Sequence, residues 1–227
     1  MGGVPLKAVL FDLDFTLARP GPGLGPEGYL RIGRRFGVEL EVSRHDEARA
    51  AALETLEKHS DFRHDEGIWI AFTERIVLGM GGSQPAAREI ARAVEQAWEQ
   101  HENFDLYDDV LPVLEELRRY GLRIGVVSNG ARDLREFLRH HALDVDAAVG
   151  SRYHGRVKPD PTIFLKALRR LDVEPPEAAM VGDHLEDDIE GARALGMRAV
   201  LIDREGRFPE VEERLPDLFG LPAALGL

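Results

Sequence analysis

The sequence predicts an α/β fold: a doubly wound parallel sheet interrupted by an all-helical insert. Two observations predict it. Short unbroken apolar runs deliver single acids, as in Ala8-Val9-Leu10-Phe11-Asp12 and Ala178-Ala179-Met180-Val181-Gly182-Asp183. Such runs read as strands buried on both faces of a parallel sheet. Between the first strand and the rest lies a stretch, about residues 27–102, that is helical in pattern throughout.

The first strand reaches Asp12, and a second acid, Asp14, follows two positions later, with Thr16 beyond it. Residues i and i+2 of an extended chain point the same way, so both carboxylates can face one cavity beyond the strand's carboxyl end, where open α/β sheets bind ligands. At ~4 Å and an effective dielectric of ~20, two like charges repel by about 4 kcal/mol. A bound cation, a proton or physical separation relieves that; Mg²⁺ held by carboxylates and phosphate oxygens is one such arrangement. A strand followed by an ordinary acidic turn is the other reading of the same residues.

The segment Leu17–Pro26 holds three Pro and three Gly, which rules out regular structure there and reads as a linker. Four helices are expected next. The first carries Tyr29, Ile32, Phe36 and Val38 and stops near Gly37; the second runs from Ser43 to about Lys58. The third holds Ile68, Trp69, Phe72, Ile76 and Val77 and ends before Gly79; the fourth runs from about Gln84 to His101. Trp69 and Trp98 lie on apolar faces and read as core of this insert. The sheet resumes near Asp105. A helix through Val113 and Leu117 closes at Gly121, and a strand Leu122–Val127 ends in Ser128-Asn129-Gly130. A helix over about Ala131–His140, a strand Ala147–Val149, the segment Arg156–Pro161 with Lys158, and a helix through Phe164 and Leu168 follow. After the strand ending at Asp183 come a helix from about Asp187 to Leu195 and a last strand Ala199–Ile202; the tail reads as short helix and coil. Strands alternating with helices imply parallel βαβ units, a Rossmann-like core. The predicted division is a core of residues 1–18 and 105–227 and a helical unit of residues 19–104.

Composition narrows the function classes. The chain has 227 residues, 31% charged, with a formal net charge of -12. That balance disfavours nucleic-acid backbones and anionic membranes as partners. The absence of cysteine excludes disulfides, thiolate catalysis and zinc–thiolate sites. No apolar run reaches the ~18 residues of a membrane span, and the residues before the first strand are too few for a signal peptide, so a cytoplasmic protein is expected. Lysine occurs only at positions 7, 58, 158 and 166, so a functional lysine comes from that short set.

Asp12, Asp14, Ser128, Asn129 and Asp183 fall at strand ends, with Lys158 on a loop. These are the types phosphoryl transfer needs: a carboxylate to attack phosphorus, a second to move protons, and donors and cations for developing charge. Four motifs, Asp12-Leu13-Asp14-Phe15-Thr16, Val127-Ser128-Asn129, Lys158-Pro159 and Gly182-Asp183-His184-Leu185-Glu186-Asp187-Asp188, occur in this order. Together the chain resembles the haloacid dehalogenase (HAD) superfamily, in its phosphoglycolate-phosphatase-like branch, and the insert resembles that family's helical C1-type cap. The resemblance implies a Mg²⁺-dependent phosphomonoester hydrolase acting on a small phosphorylated metabolite. It implies Asp12 as nucleophile and Mg²⁺ ligand, Asp14 as general acid/base with its backbone carbonyl on the metal, and Asp183 as a further metal ligand. Thr16, Ser128, Asn129 and Lys158 would serve the phosphoryl group and its loop, with Asp188 and Asp187 in support. Where the family often has Gly after the second acid, this chain has Phe15; where it often has Asn, this chain has Asp187. Asp14 argues against dehalogenase and phosphonoacetaldehyde hydrolase chemistry. A β-phosphoglucomutase-like activity shares both acids and stays open, as does a non-catalytic phosphate-binding protein on this scaffold. Lys58, His59, Arg63 and His64 form a polar cluster in the insert, read as solvated surface or as a substrate contact. His140, His141 and His184 are read as surface, capping or cavity-border residues.

Overall fold

The computed structural model describes residues 4–56 and 59–227. The chain divides into two compact units, one formed by residues 1–19 and 106–227 and the other by residues 20–105.

The first unit is built on a six-stranded sheet. Its strands are β1 (Ala8–Phe11), β4 (Arg123–Ser128), β5 (Ala147–Gly150), β6 (Ala178–Gly182), β7 (Arg198–Ile202) and β8 (Arg214–Leu215), in the order β5-β4-β1-β6-β7-β8. Every pairing is parallel, with Phe11 level with Val126 on one side and Val181 on the other. The central strands are apolar because both faces are covered; Ala8–Phe11 and Ala178–Val181 have no exposed surface. Helix α8 (Pro161–Leu171) presses Ile163, Phe164, Ala167, Leu168 and Leu171 into the core beside Leu10, Val127 and Met180. Helix α5 (Val110–Arg119) buries Val113 and Leu117.

The second unit is helical: α1 (Pro26–Arg35), α2 (His45–Glu54), α3 (Glu66–Gly79) and α4 (Gln84–Glu99). Its own core joins Tyr29, Ile32, Leu40, Ile76, Val77, Met80, Ile90 and Val94. Gly28 is required at the first turn of α1, because a Cβ there would lie 1.8 Å from the Gly23 carbonyl oxygen.

Several expectations are corrected. Leu17–Pro26 is not free of regular structure: β2 (Ala18–Pro20) pairs with β3 (Phe104–Leu106), and Pro22–Leu24 forms a 3₁₀ turn. A proline ending a strand at a sheet edge removes no needed donor. Phe36 is 41% exposed because α1 stops before it. Trp69 and Trp98 are half-buried; Trp98 packs at the edge of the helical core, whereas Trp69 meets Phe72 edge to face at 6.2 Å. The second helix ends at Glu54, and Lys58 lies outside the described residues. The strand holding Ala199–Ile202 is not the last, since β8 adds to β7; two residues are too few to show a pattern in sequence. The tail's expected helix is α10 (Leu221–Leu225). The helix expected from Asp187 is a π-helical segment, Leu185–Glu190, running into α9 (Gly191–Ala194). A one-turn helix, α7 (Ser151–His154), follows β5. Among the described residues no helix is long and apolar enough to cross a membrane.

Helix α6 (Leu134–His140) starts later than expected because Asp133 caps it, accepting from the N–H groups of Arg135 at 2.9 Å and Glu136 at 3.3 Å. Burial nudges the Asp133 carboxyl up, but the Tyr153 hydroxyl and those N–H groups outweigh it and hold it below its ordinary range. A group whose pKa is depressed by folding stabilises above its unfolded value and loses that contribution as pH falls through the folded one. Asp133→Ala is therefore expected to cost about 1 kcal/mol near neutrality, with the difference from wild type shrinking below about pH 4, as read by denaturant melts across pH.

Candidate active site

β1 and β6 are neighbours and end level, which brings Asp12 and Asp183 together at the carboxyl rim of the sheet. The Asp12 N–H continues the ladder, donating to the Val181 carbonyl at 2.8 Å. Lys158 is only 2% exposed. Its Nζ donates to Asp12 Oδ1 and, at 2.6 Å, to Asp188 Oδ1. The other Asp188 oxygen accepts the His184 N–H at 3.1 Å. Both backbone groups of Lys158 are held in turn: the Asn129 side chain accepts its N–H at 2.7 Å and donates to its carbonyl at 3.0 Å.

The wide turn Leu185–Glu190 places Asp188 back over β6, with Asp188 and Ile189 N–H groups both directed to the His184 carbonyl. Such π-turns recur at functional sites because the extra residue re-aims a side chain. Gly182 makes room for it: a Cβ there would lie 2.2 Å from Asp188 Oδ2.

Asp12, Asp183 and Asp188 are all buried, and each offers one oxygen such that the three lie within 4.8 Å of one another, a set that could hold a metal ion. Three desolvated carboxylates face one buried ammonium. Burial pushes the Asp12 carboxyl well above the usual carboxylate range, opposed by Lys158 and reinforced by Asp188 and Asp183. Asp183 is likewise raised by burial and by Asp188, against the pull of Arg207 and Lys158. Burial works against the Lys158 charge, yet Asp12 and Asp188 outweigh it and keep the ammonium protonated. An added divalent cation is the charge this set is short of.

The other expected site residues are placed as follows. Ser128 is the last residue of β4 and is buried. Asp14 sits apart from the three clustered acids, its carboxylate gripped by Arg132 at 3.0 and 3.4 Å. Thr16 has no exposed surface, and its hydroxyl has no hydrogen-bond partner. Its carbonyl accepts from Arg204 at 2.8 Å. Asp187 is buried beside His184, whose ring accepts the Asp187 N–H at 3.2 Å. Phe15 takes a left-handed backbone, φ +62°, which costs a non-glycine residue roughly 1–2 kcal/mol; the turn demands what Gly adopts freely. In the helical unit His59 is tied to Asp65 at 2.7 Å, and Asp65 caps α3.

Three arginines escaped sequence reasoning. Arg132 follows Ser128-Asn129 closely, and that proximity was the only available signal. Arg207 donates to Asp183 Oδ2 at 2.6 Å, and Arg204 pairs with Asp109 at 2.9 and 3.0 Å while stacking on Tyr107. Both arginines come from a segment that reads as coil. The Asp203 carboxylate shapes it by accepting the N–H groups of Arg207 and Phe208.

The profile of the haloacid dehalogenase-like hydrolase family matches residues 6–196. The chain belongs to that family. It is 40% identical over 252 residues to the phosphoserine phosphatase of Thermus thermophilus, covering 94% of each chain. It is 33% identical over 221 residues to the glyceraldehyde 3-phosphate phosphatase of Methanopyrus kandleri, covering 93% of this chain and 90% of the relative. The crystal structure of a HAD phosphatase from Thermococcus onnurineus superposes with a TM-score of 0.66 at 28% identity, covering 97% of this chain and 98% of the other. The protein is a HAD-superfamily phosphatase. Arg204 and Arg207 lie beyond the part of the chain that the family profile spans.

Gly182→Ala is expected to drive Asp188 off its place and to cost about 1–3 kcal/mol in overpacking, measured as a shift in urea midpoint, with phosphatase activity falling alongside it.

Proposed function

We propose that this HAD phosphatase is a Mg²⁺-dependent phosphomonoester hydrolase that works through an aspartyl-phosphate on Asp12. The observation that carries the reading is the convergence of Asp12, Lys158, Asp183 and Asp188 at one end of β1 and β6. Asp12, Asp183 and the Asp14 backbone carbonyl would hold the metal, with Asp188 beside them. When bound, the ion screens the carboxylates from the phosphoryl oxygens and stabilises charge that develops in the transition state.

An Asp12 oxygen attacks phosphorus and the ester P–O bond breaks. Asp14 gives its proton to the departing oxygen, which leaves as an alcohol. Water then attacks the phosphoryl group, its proton passing to Asp14; the P–O bond to Asp12 breaks and inorganic phosphate departs. This needs Asp14 to leave the grip of Arg132 for part of the cycle. Lys158 balances the Asp12 charge, and the Asn129 clamp on its backbone keeps the ammonium aimed. Ser128 and the Asn129 N–H bind the phosphoryl oxygens.

The substrate class is a small phosphorylated metabolite, in keeping with relatives named for glyceraldehyde 3-phosphate and phosphoserine. The helical unit of residues 20–105 acts as the cap that selects among such substrates.

With p-nitrophenyl phosphate, chelation should abolish release and Mg²⁺ should restore it. Asp12→Asn should lower kcat by at least ~10³-fold, since an amide cannot be the nucleophile. Asp14→Asn should slow turnover about 10²- to 10⁴-fold. Near-normal turnover by Asp12→Asn would overturn the reading. With sugar phosphates, release of inorganic phosphate and not of an isomeric ester separates hydrolysis from mutase chemistry.

A further inference from the structure

A cavity of about 330 Å³ lies at the carboxyl end of β5, lined by residues of α6, α7 and α8. That volume is at the lower end of pockets for small ligands. Arg135 comes from α6, His154 from α7, and Lys166 and Arg170 from α8. Four basic side chains thus face one cavity in a chain whose net charge is -12.

Little among the described residues offsets them: Asp133 attracts Arg135 and Asp160 attracts His154. Among the described residues, no carboxylate pairs with Arg135, Lys166 or Arg170; Arg170 donates only to the Ala148 carbonyl. Lys166 and Arg170 are four apart on one helix face, a spacing at which like charges repel. His154 shares a hydrogen bond of 2.9 Å with the Thr162 hydroxyl. The one acid in the lining, Asp133, is already used by the α6 N–H groups and, at 3.0 Å, by the Tyr153 hydroxyl. Burial and the nearby Lys166 hold His154 below its ordinary range, against the pull of Asp160.

Arg135, Lys166 and Arg170, none in an ion pair with a carboxylate among the described residues, would be stabilised by an anion that accepts several charge-assisted hydrogen bonds. We propose that this cavity binds a compact dianion, either inorganic phosphate or the phosphoryl group of a small metabolite. None of its lining residues belongs to the acid cluster of the active site. The two do share the loop after β4, since Asp133 adjoins Arg132, which grips Asp14.

The test is calorimetric titration of the whole chain, treated with EDTA in low-salt buffer, with inorganic phosphate and separately with glycerol phosphate. Without a divalent ion the acid cluster repels anions, so binding reports the cavity. One saturable site is expected. Lys166→Glu and, on a different helix, Arg135→Glu should each weaken it about tenfold or more. Arg92→Glu, outside the lining and with the same change in net charge, should stay within about twofold. The variants should keep the wild-type melting temperature and Mg²⁺-dependent phosphatase activity. Binding of phosphate alone points to the free ion, and equal binding of the ester points to a metabolite. Absence of saturable binding, a stoichiometry above one, or equal binding by wild type and both cavity variants overturns the proposal.

Discussion

One buried ammonium group between two buried carboxylates organises the catalytic unit. Lys158 joins Asp12, at the end of β1, to Asp188, on the turn after β6. Removing three such ions from water costs several kcal/mol each, and only close pairing with further hydrogen bonds returns it. The surroundings supply those bonds: Asn129 holds the Lys158 backbone from both sides, and the His184 N–H satisfies the second Asp188 oxygen. Losing any one of these would strand a charge in the interior, so the loops after three different strands are constrained together.

The parallel sheet makes this possible. Because β1 lies between β4 and β6, the turns that follow all three open at the same edge. One acid, one clamp and a second acid then arrive from chain positions far apart in sequence. A second tier of arginines works outside the first. Arg207 holds Asp183, Arg132 holds Asp14, and Arg204 ties the Thr16 carbonyl to Asp109. The acid cluster is over-supplied with negative charge even so, which is the electrostatic case for a divalent cation.

Much of this was legible from residue order. Apolar runs ending in Asp12 and Asp183 located two strand ends, and the helical insert was visible as a block with no alternating pattern. Rarity narrowed the functional lysine to four positions, and the Lys158-Pro159 motif before a helix singled out Lys158. Misses cluster where elements are short or contacts are long-range. β2, β3 and β8 have two or three residues each, too few to carry a period, and they exist because a neighbouring strand is present. The π-turn at Leu185–Glu190 looks like an ordinary helix start in sequence; the need to seat Asp188 against Gly182 widens it. Phe15 was noted as an odd residue after Asp14, but its left-handed backbone became evident only in three dimensions.

Local sequence determined which residue types stand at the ends of the strands, because burial on both sheet faces and the need for an acid at the rim are written in adjacent positions. Partner choice was decided only by tertiary structure. Arg132, Arg204 and Arg207 are three of many arginines in the chain, and apart from the closeness of Arg132 to Ser128-Asn129 nothing near them in sequence marks them out. Each finds its acid across a gap of 24 to 118 residues, because charge pairing in a folded protein depends on distance through space and burial, quantities that the order of residues does not contain.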